Sequence, residues 1–266
     1  MIGIGSSDII DIKRKLIVEA AKEAGKLQVS GFNSTMSIID KDGTNNIVTE
    51  YDFKVEKSII DRIKKSFPNH SIIAEESGKS LKSDDNLWII DPIDGTVNFS
   101  KGIPVFCVSL AYMKMGEIIL GCIFNPITNE LFFAEKGEGA FLNGKEIKVS
   151  DKEVFSNSLL ATGFPYKSED GYQKILSSLN TIIAKGIPIR RMGSAAIDLA
   201  YTACGRFDGF WENGLNPWDV AAGILLVEEA GGKVLNNKLM PFDMFEDEVI
   251  FAGNPMIIED LINAFE

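Results

Sequence analysis

The chain of 266 residues is long enough for one large domain or for two lobes that share a core. Its 45% hydrophobic and 24% charged residues are typical of a folded globular protein and exclude disordered, collagen-like and coiled-coil chains. Acidic residues outnumber basic ones by 38 to 27, and the net charge of −11 argues against a nucleic acid or an anionic membrane as the primary ligand. Because His70 is the single histidine, a Ser-His-Asp triad or a Cys/His zinc centre would have to use that one imidazole.

Cysteine usage and the N-terminus indicate the compartment. Cys107, Cys122 and Cys204 lack CxxC spacing and lie among apolar or small neighbours, which predicts reduced core thiols. The N-terminus has no basic segment followed by an apolar one, and no apolar stretch approaches 18 residues without a charge. We therefore expect a cytoplasmic protein that does not bind a membrane.

Apolar spacing predicts two helices in the N-terminal part of the chain. The first begins after the capping residues 6–8, carries an apolar stripe and ends near Gly25. The second begins near Tyr51 and ends before Pro68. Between them, residues 31–46 are polar and aperiodic, which predicts a long mobile loop of the kind that is often functional.

From residue 71 onwards the pattern becomes that of strands separated by Gly, Pro and Asn turns. The predicted strands are 71–74, 87–90, 105–113, 117–124 and 130–134. In the second half, helices are predicted at 170–184, 194–203, 217–230 and 255–265, and strands at 158–162, 187–191, 207–212 and 249–252. With no repeat or linker and only a weak seam at 149–153, we expect a single unit, residues 1–266, with lobes 1–150 and 151–266 in an α/β or α+β arrangement of layers.

The most informative segment is residues 87–99, Leu-Trp-Ile-Ile-Asp-Pro-Ile-Asp-Gly-Thr-Val-Asn-Phe. An apolar strand ends at Asp91, Pro92 interrupts its ladder, and the turn that follows directs Asp91 and Asp94 at one point. Two converging carboxylates repel, so one takes up a proton or a cation lies between them. Oxygen ligands without a nearby histidine favour a hard cation, with Mg²⁺ as the leading choice. The structural alternative is a turn in which Asp94 and Gly95 supply the geometry and Asp91 caps it.

The residues after this turn suit a phosphate. Gly95 and Thr96 can open a helix or turn whose free backbone N–H groups favour an anion. A phosphate approaches several carboxylates only if metal ions reverse the local charge. The two expectations, a cation and a phosphate, are therefore consistent with each other.

Other carboxylates strengthen this hypothesis, although each also has a structural explanation. Asp52 matches a capping box with Thr49, and Asp219 is a favourable acid in the first turn of a helix. Glu75 and Glu76 follow a strand and could form a solvated edge.

Two long motifs and one shorter segment carry a family resemblance that spans nearly the whole chain. Residues 88–99 within the segment above, 218–223 (Trp-Asp-Val-Ala-Ala-Gly) and 229–232 (Glu-Ala-Gly-Gly) resemble the paired signature of the inositol monophosphatase family, and the resemblance begins at residues 46–52, Asn-Ile-Val-Thr-Glu-Tyr-Asp. It implies a layered α/β/α/β/α sandwich of the sugar-phosphatase type. It also implies a magnesium-dependent, lithium-sensitive phosphatase that is usually a homodimer.

The same resemblance implies the catalytic machinery. Two or three Mg²⁺ ions would be held by Glu75, Asp91, the Ile93 carbonyl, Asp94 and Asp219. Asp52, Glu75 and Thr96 would orient the water for in-line attack on phosphorus, without a phosphoenzyme. Lobe 1–150 would then carry the catalytic motifs, and lobe 151–266 the substrate side with one metal ligand.

Substrate contacts are implied on both sides of the phosphate ester. They involve Asp94, Gly95, Thr96, Asp219, Gly193, Ser194, Ala195 and Glu212. The small residues from Ala195 onwards also predict a tightly packed helix face, and Glu212 could be a strand-edge acid.

Two basic residues are further candidates for this site. Lys41 is either a loop lysine near the metals or a solvated charge. Arg191 could fix the Gly193 loop, contact a dimer partner or attract a second phosphate.

The resemblance implies a Mg²⁺-dependent phosphomonoesterase acting on myo-inositol 1-phosphate and related small polyol or sugar phosphates. The alternatives are a fructose 1,6-bisphosphatase, histidinol phosphatase or nucleotide phosphatase on the same metal core, because specificity lies in the pocket for the leaving group. A regulatory binding protein with secondary catalysis is the alternative from another class.

Overall fold

The computed structural model describes residues 6–41, 47–82, 85–165 and 172–265. Two helices come first, α1 (Ser6–Gly31) and α2 (Glu50–Ser66). Between them β1 (Ile38–Asp40) pairs antiparallel with β2 (Ile47–Thr49), so the predicted loop contains strand residues, and its residues 42–46 lie outside the described ranges. Within those ranges, none of the helices has the length and apolar composition that a membrane span requires.

The first large sheet has eight strands and one parallel pair. Its strands are β3 (Ser71–Ala74), β4 (Gly78–Ser80), β5 (Asn86–Asp94), β6 (Cys107–Lys114), β7 (Glu117–Asn125), β8 (Glu130–Glu135), β9 (Gly139–Leu142) and β10 (Lys145–Glu146). They lie in the order β10-β9-β8-β7-β6-β5-β3-β4, and only β3 and β5 are parallel. The short helix α3 (Thr96–Ser100) follows β5.

The second sheet has five strands. They are β11 (Leu160–Thr162), β12 (Ile189–Arg190), β13 (Gly209–Asn213), β14 (Lys233–Leu235) and β15 (Val249–Gly253), in the order β12-β11-β13-β15-β14. The helices of this half are α4 (Tyr172–Ala184), α5 (Ala195–Ala203), α6 (Pro217–Glu229) and α7 (Ile258–Asn263), and a single 3₁₀ turn spans Phe155–Asn157. The pattern did not predict six of these short strands, which have two to four residues each: β1, β2, β4, β9, β10 and β14.

The helices and sheets stack in five layers. The helices α1 and α2 pack on one face of the eight-stranded sheet, in a cluster that includes Ile17, Ile59 and Trp88. The other face packs against α5 and α6, which separate it from the five-stranded sheet, and α4 and α7 cover the outer face of that second sheet. The predicted α/β/α/β/α sandwich is therefore confirmed.

One apolar cluster connects the two predicted lobes. It contains Ile89 and Phe132 from the first half of the chain together with Phe210 and Leu225 from the second. The two halves of the chain thus share one core. The prediction of one unit with two lobes stays a prediction.

The predicted end of the first helix is wrong. Helix α1 continues six residues beyond Gly25, to Gly31. A Cβ built at Gly25 would lie 2.5 Å from the ring of Phe124 on β7, so this glycine marks the close approach of the helix to the sheet rather than a helix end.

The strand that contains Asp91 continues further than predicted. Although Pro92 has no N–H for the ladder, β5 continues to Asp94, and the pairing moves from Asp91↔Ser109 to Asp94↔Cys107. Three residues of β5 thus oppose two residues of β6, which is a β-bulge. Residues three apart on a regular strand face opposite sides of the sheet, and the extra residue returns Asp94 to the side of Asp91.

Candidate active site

A polar cavity of about 650 Å³ lies at the carboxyl ends of β3 and β5, between the two sheets. Its lining includes every predicted site residue except Asp52: Lys41, Glu75, Asp91, Ile93, Asp94, Gly95, Thr96, Arg191, Gly193, Ser194, Ala195, Glu212 and Asp219. Residues that are far apart in the sequence thus meet on one surface.

Parallel pairing explains why the first acids meet. Because β3 and β5 are parallel neighbours, their carboxyl ends reach the same edge of the sheet. The amide of Glu75 continues the ladder by donating to the Ile90 carbonyl at 3.2 Å, which places Glu75 beside Asp91. Oδ1 of Asp91 accepts the amide of Ile93 at 3.0 Å.

Asp94 is bound by the N-terminus of α5. Its Oδ2 accepts the Ser194 hydroxyl at 2.6 Å and the Ala196 amide at 2.7 Å. Burial raises the pKa of Asp94 to about 6, although the hydrogen bonds from Ser194 and Ala196 oppose this rise.

Gly95 allows the backbone to turn after the bulge. It has a φ of 93°, and a Cβ there would lie 2.9 Å from the Val105 carbonyl oxygen. The chain then enters α3, so the helix or turn predicted at Gly95 and Thr96 is present.

The structural and functional explanations of Asp52 are compatible. Its Oδ2 accepts the amide of Thr49 at 2.7 Å in a capping box, and its Oδ1 lies 3.1 Å from the Thr96 hydroxyl. Asp52 thus contacts the cavity wall through Thr96 without lining it. Burial raises the pKa of Asp52 to about 6, and the nearby charge of Glu75 contributes.

Thr96 has two acceptors for one proton. Its Oγ1 lies 3.1 Å from Oδ1 of Asp52 and 2.9 Å from the Ile93 carbonyl oxygen. A hydroxyl donates to one acceptor at a time, and its lone pairs remain able to accept a hydrogen bond.

Asp219 also caps a helix with one oxygen. Its Oδ2 accepts the amide of Asn216 at 2.6 Å, in the capping box that begins α6. Burial raises the pKa of Asp219 well above its usual value, and the negative charge of Asp94 adds to this effect.

Lys41 contacts two glutamates at the cavity. Its Nζ is 2.9 Å from Oε1 of Glu75 and 2.7 Å from Oε1 of Glu76. Although burial alone would lower the pKa of Lys41, the two glutamates raise it above its usual value. Lys41 is thus an ion-paired residue at the rim of the cavity, and its role near a metal stays a prediction.

The donor set fits a hard cation. Burial, together with the charges of Glu75, Asp94 and Asp219, raises the pKa of Asp91 well above its usual value, which is the repulsion that a cation relieves. All the side-chain donors are oxygens, the preference of Mg²⁺. In the ranges that the structure describes, no three acidic, His or Cys side chains are already gathered at ligand spacing, and Oε1 of Glu75 is paired with Lys41. The residues of this wall thus have the chemistry that a hard cation requires.

The far side of the cavity contains Glu212, at the end of β13. Burial raises the pKa of Glu212 to about 8, and the charges of Asp219 and Asp94 add to the rise while Arg191 opposes it. The carboxylate rests on Gly163, where a Cβ would lie 2.1 Å from it. The guanidinium carbon of Arg191 lies 5.9 Å from the ring centroid of Phe164.

Sequence reasoning missed several residues on this side. Asp198 is 1% exposed and lines the cavity, and its Oδ1 has no hydrogen-bond partner among the described residues. As the single charged residue in helix α5, it had a sequence signal. Gly163 and Asn213 also line the cavity, but they had no such signal, because only tertiary packing places Gly163 against Glu212.

Comparisons with known proteins agree with this geometry. The family model described as "Inositol monophosphatase family" matches residues 12–266. An inositol-1-monophosphatase of Caulobacter vibrioides is 38% identical over 253 residues, which cover 92% of this chain and 99% of that protein. The Nus factor SuhB of Escherichia coli strain K12 is 41% identical over 249 residues, which cover 93% of each chain.

A solved structure agrees over nearly the full length. The crystal structure of the extragenic suppressor protein SuhB from Bartonella henselae has a TM-score of 0.91 and 39% identity, and the match covers 96% of this chain and 98% of that one. The chain therefore belongs to the inositol monophosphatase family and is a phosphatase.

Proposed function

We propose that this protein is a Mg²⁺-dependent phosphomonoesterase that hydrolyses myo-inositol 1-phosphate and related small polyol phosphates. One observation carries the proposal: a single cavity has the acids Glu75, Asp91, Asp94 and Asp219 on one wall and Glu212 on the other. A phosphate ester bridges such walls, with its phosphate towards the first and its alcohol towards the second.

Two or three Mg²⁺ ions would be held by Glu75, Asp91, the Ile93 carbonyl, Asp94 and Asp219. When bound, these ions neutralise the phosphate and activate the attacking water. Gly95, Thr96 and the loop at Gly193 would position the phosphate against them.

Thr96 and Asp52 would orient the attacking water. When the Thr96 hydroxyl donates to Asp52, 3.1 Å away, its lone pairs can accept a hydrogen bond from water. The capping bonds from Thr49 hold Asp52 in place, so an acceptor for the Thr96 hydroxyl is in position before substrate binds.

The wall that faces the alcohol favours a hydroxylated leaving group. Glu212 and Asp198 carry carboxyl oxygens with acceptor capacity, to which hydroxyl groups of a polyol would donate. A second phosphate would need a further cation, for which Arg191 is the candidate. The fructose 1,6-bisphosphatase, histidinol phosphatase and nucleotide phosphatase specificities are the alternatives on the same metal core.

A substrate panel with and without magnesium tests the proposal. Metal-stripped protein should lose its activity in excess chelator and regain it with Mg²⁺. Among inositol 1-phosphate, fructose 1,6-bisphosphate, histidinol phosphate and AMP, kcat/KM should be highest for inositol 1-phosphate. Full activity in chelator would exclude the metal mechanism, and a higher kcat/KM for another ester would reassign the substrate.

Three further properties belong to the proposal, namely lithium inhibition, a homodimer and a cytoplasmic location. The free thiols of Cys107, Cys122 and Cys204 support the last of these. Light scattering of the purified protein would test the dimer, and activity in LiCl would test lithium sensitivity.

A regulatory role in binding another protein is the alternative function. It is favoured by relatives that carry the name Nus factor SuhB at 41% identity. A cellular phenotype that the inactive variant Asp94→Asn still rescues would support this role over catalysis.

A further inference from the structure

Glu56 is a buried acid outside the cavity. It lies one helical turn after Asp52 on α2 and is only 4% exposed. Its Oε2 accepts the amide of Glu76 at 2.9 Å, and its Oε1 accepts the amide of Ser77 at 3.0 Å. Both oxygens of this carboxylate therefore hold consecutive backbone amides of the turn between β3 and β4.

This turn carries Glu75. The amide of Glu75 is tied to β5 through the Ile90 carbonyl, at 3.2 Å, and the next two amides are tied to α2 through Glu56. The backbone around Glu75 is thus held from the sheet on one side and from the helix layer on the other. Lys41, by contrast, contacts only the ends of the Glu75 and Glu76 side chains.

The position of Glu56 is unfavourable for stability in two respects. Asp52 and Glu56 are acids at positions i and i+4 of one helix, a like-charge spacing that destabilises a helix. A buried carboxylate also loses its hydration, which only good hydrogen bonds offset. Amides in a surface turn can instead bond to water, so stability alone does not call for a buried acid there.

We propose that Glu56 is a positioning residue of the active site, which fixes the turn of residues 75–77 so that the Glu75 carboxylate reaches the cation shared with Asp91 and Asp94. This inference rests on the proposed magnesium-dependent function. Glu56 itself does not line the cavity, and its two oxygens accept the backbone amides of Glu76 and Ser77 instead. Through α2, one helix then sets both Asp52 and Glu75.

Two variants separate position from charge. Glu56→Asp keeps the charge but is one methylene too short to reach both amides, and Glu56→Gln keeps the length but turns one acceptor into a donor. If Glu56 positions Glu75, both variants weaken Mg²⁺ binding in calorimetry by about tenfold or more, the usual range for residues that orient metal ligands. The Mg²⁺ concentration for half-maximal activity rises in parallel, and excess Mg²⁺ restores part of kcat.

The matched control is Glu135→Gln. Glu135 is also buried, at 8% exposure, and its carboxylate binds Arg14 away from the cavity. This control should lower the melting temperature while the Mg²⁺ affinity stays within about twofold of the wild type. All affinities are measured below the melting temperature of each variant.

The Mg²⁺ affinities of the two Glu56 variants and of the wild type test the inference. A normal affinity in Glu56→Asp with a weakened one in Glu56→Gln would show a charge effect and overturn the inference, as would normal affinities in both variants. Wild-type protein that binds no Mg²⁺ would overturn the proposed function and this inference together. Wild-type binding with unaffected Glu56 variants overturns the inference alone.

Discussion

The carboxylates of Asp52 and Asp219 combine a helix cap with a position at or next to the cavity. Oδ2 of Asp52 and Oδ2 of Asp219 each accept the amide of the N-cap residue three positions earlier, Thr49 and Asn216 respectively. Oδ1 of Asp52 lies against Thr96, at the cavity wall. Because a carboxylate has two oxygens with about four acceptor positions, a capping role does not prevent a role in catalysis.

Asp94→Asn should lower kcat at least about a hundredfold without unfolding the protein. The amide oxygen can still accept from Ser194 and Ala196, so the α5 contact persists, whereas one anionic donor to the cations is lost. Steady-state kinetics with circular dichroism as the folding control measure this. Near-normal turnover in a folded variant would remove Asp94 from the site.

Glu212→Gln tests the assignment of the leaving-group side. If Glu212 accepts hydroxyl groups, the variant loses about 1 to 3 kcal/mol of transition-state stabilisation with inositol 1-phosphate, or about five- to a hundredfold in kcat/KM. With p-nitrophenyl phosphate, whose leaving group has no such hydroxyls, the loss should be much smaller. Equal losses for the two substrates would place Glu212 in the phosphate chemistry or in folding instead.

At the scale of elements, packing decides where α1 ends and how β5 turns. Helix α1 tolerates Gly25 because the adjacent ring of Phe124 leaves no room for a side chain. Strand β5 tolerates Pro92 because the bulge removes that residue from the ladder. Both residues are strong local signals for an end, and in both places the contacts with a neighbouring strand prevail.

Gly25→Ala should destabilise the protein although alanine is the better helix former. Helix propensity would gain about 1 kcal/mol, but overpacking against Phe124 costs about 1 to 3 kcal/mol, so a net loss is expected. Urea unfolding measures the difference. The control Lys26→Ala, at an exposed position one residue further on, should change stability by less than about 0.5 kcal/mol. Stabilisation by Gly25→Ala would contradict the close helix–sheet contact.

At the scale of the whole molecule, the single histidine, His70, packs against the core around α1 and β5. The ring of Trp88 donates from Nε1 to Nδ1 of His70 at 3.0 Å, and Phe67 stacks on the imidazole with ring centroids 4.6 Å apart. Burial and the nearby charge of Lys13 lower the pKa of His70 to about 4. His70 is therefore neutral in the folded protein at neutral pH.

The pH dependence follows from this lowered pKa. Between about pH 6.5 and 4 the unfolded chain binds a proton at His70 that the folded protein does not, so the free energy of unfolding falls as the pH falls through this window. His70→Asn keeps an acceptor for Trp88 without titrating, and it should lose this contribution. The measurement is the difference between wild-type and variant stability from pH 7 to 4, with an NMR titration of the imidazole. A titration near pH 6.5 in the folded protein would refute the prediction.

Local patterns were enough to predict a large part of this protein. The apolar periods of α2 and α6, the strands from residue 71 onwards and the acids of residues 91–94 depend on neighbours within a few positions, so they are visible in the sequence. The two motifs were also sufficient to identify the family, since signature residues keep their spacing along the chain.

Tertiary structure decided the contacts between distant residues. Four such contacts leave no periodic trace in the sequence: the ion pair of Lys41 with Glu75, the packing of Glu212 on Gly163, the hydrogen bonds of Glu56 to the turn after β3, and the bulge that brings Asp94 to the side of Asp91. Each joins groups on different elements, and their distances depend on how helices and sheets pack rather than on spacing along the chain. The residue types at the site are thus determined locally, whereas their relative positions arise only from the free energy of the packed layers.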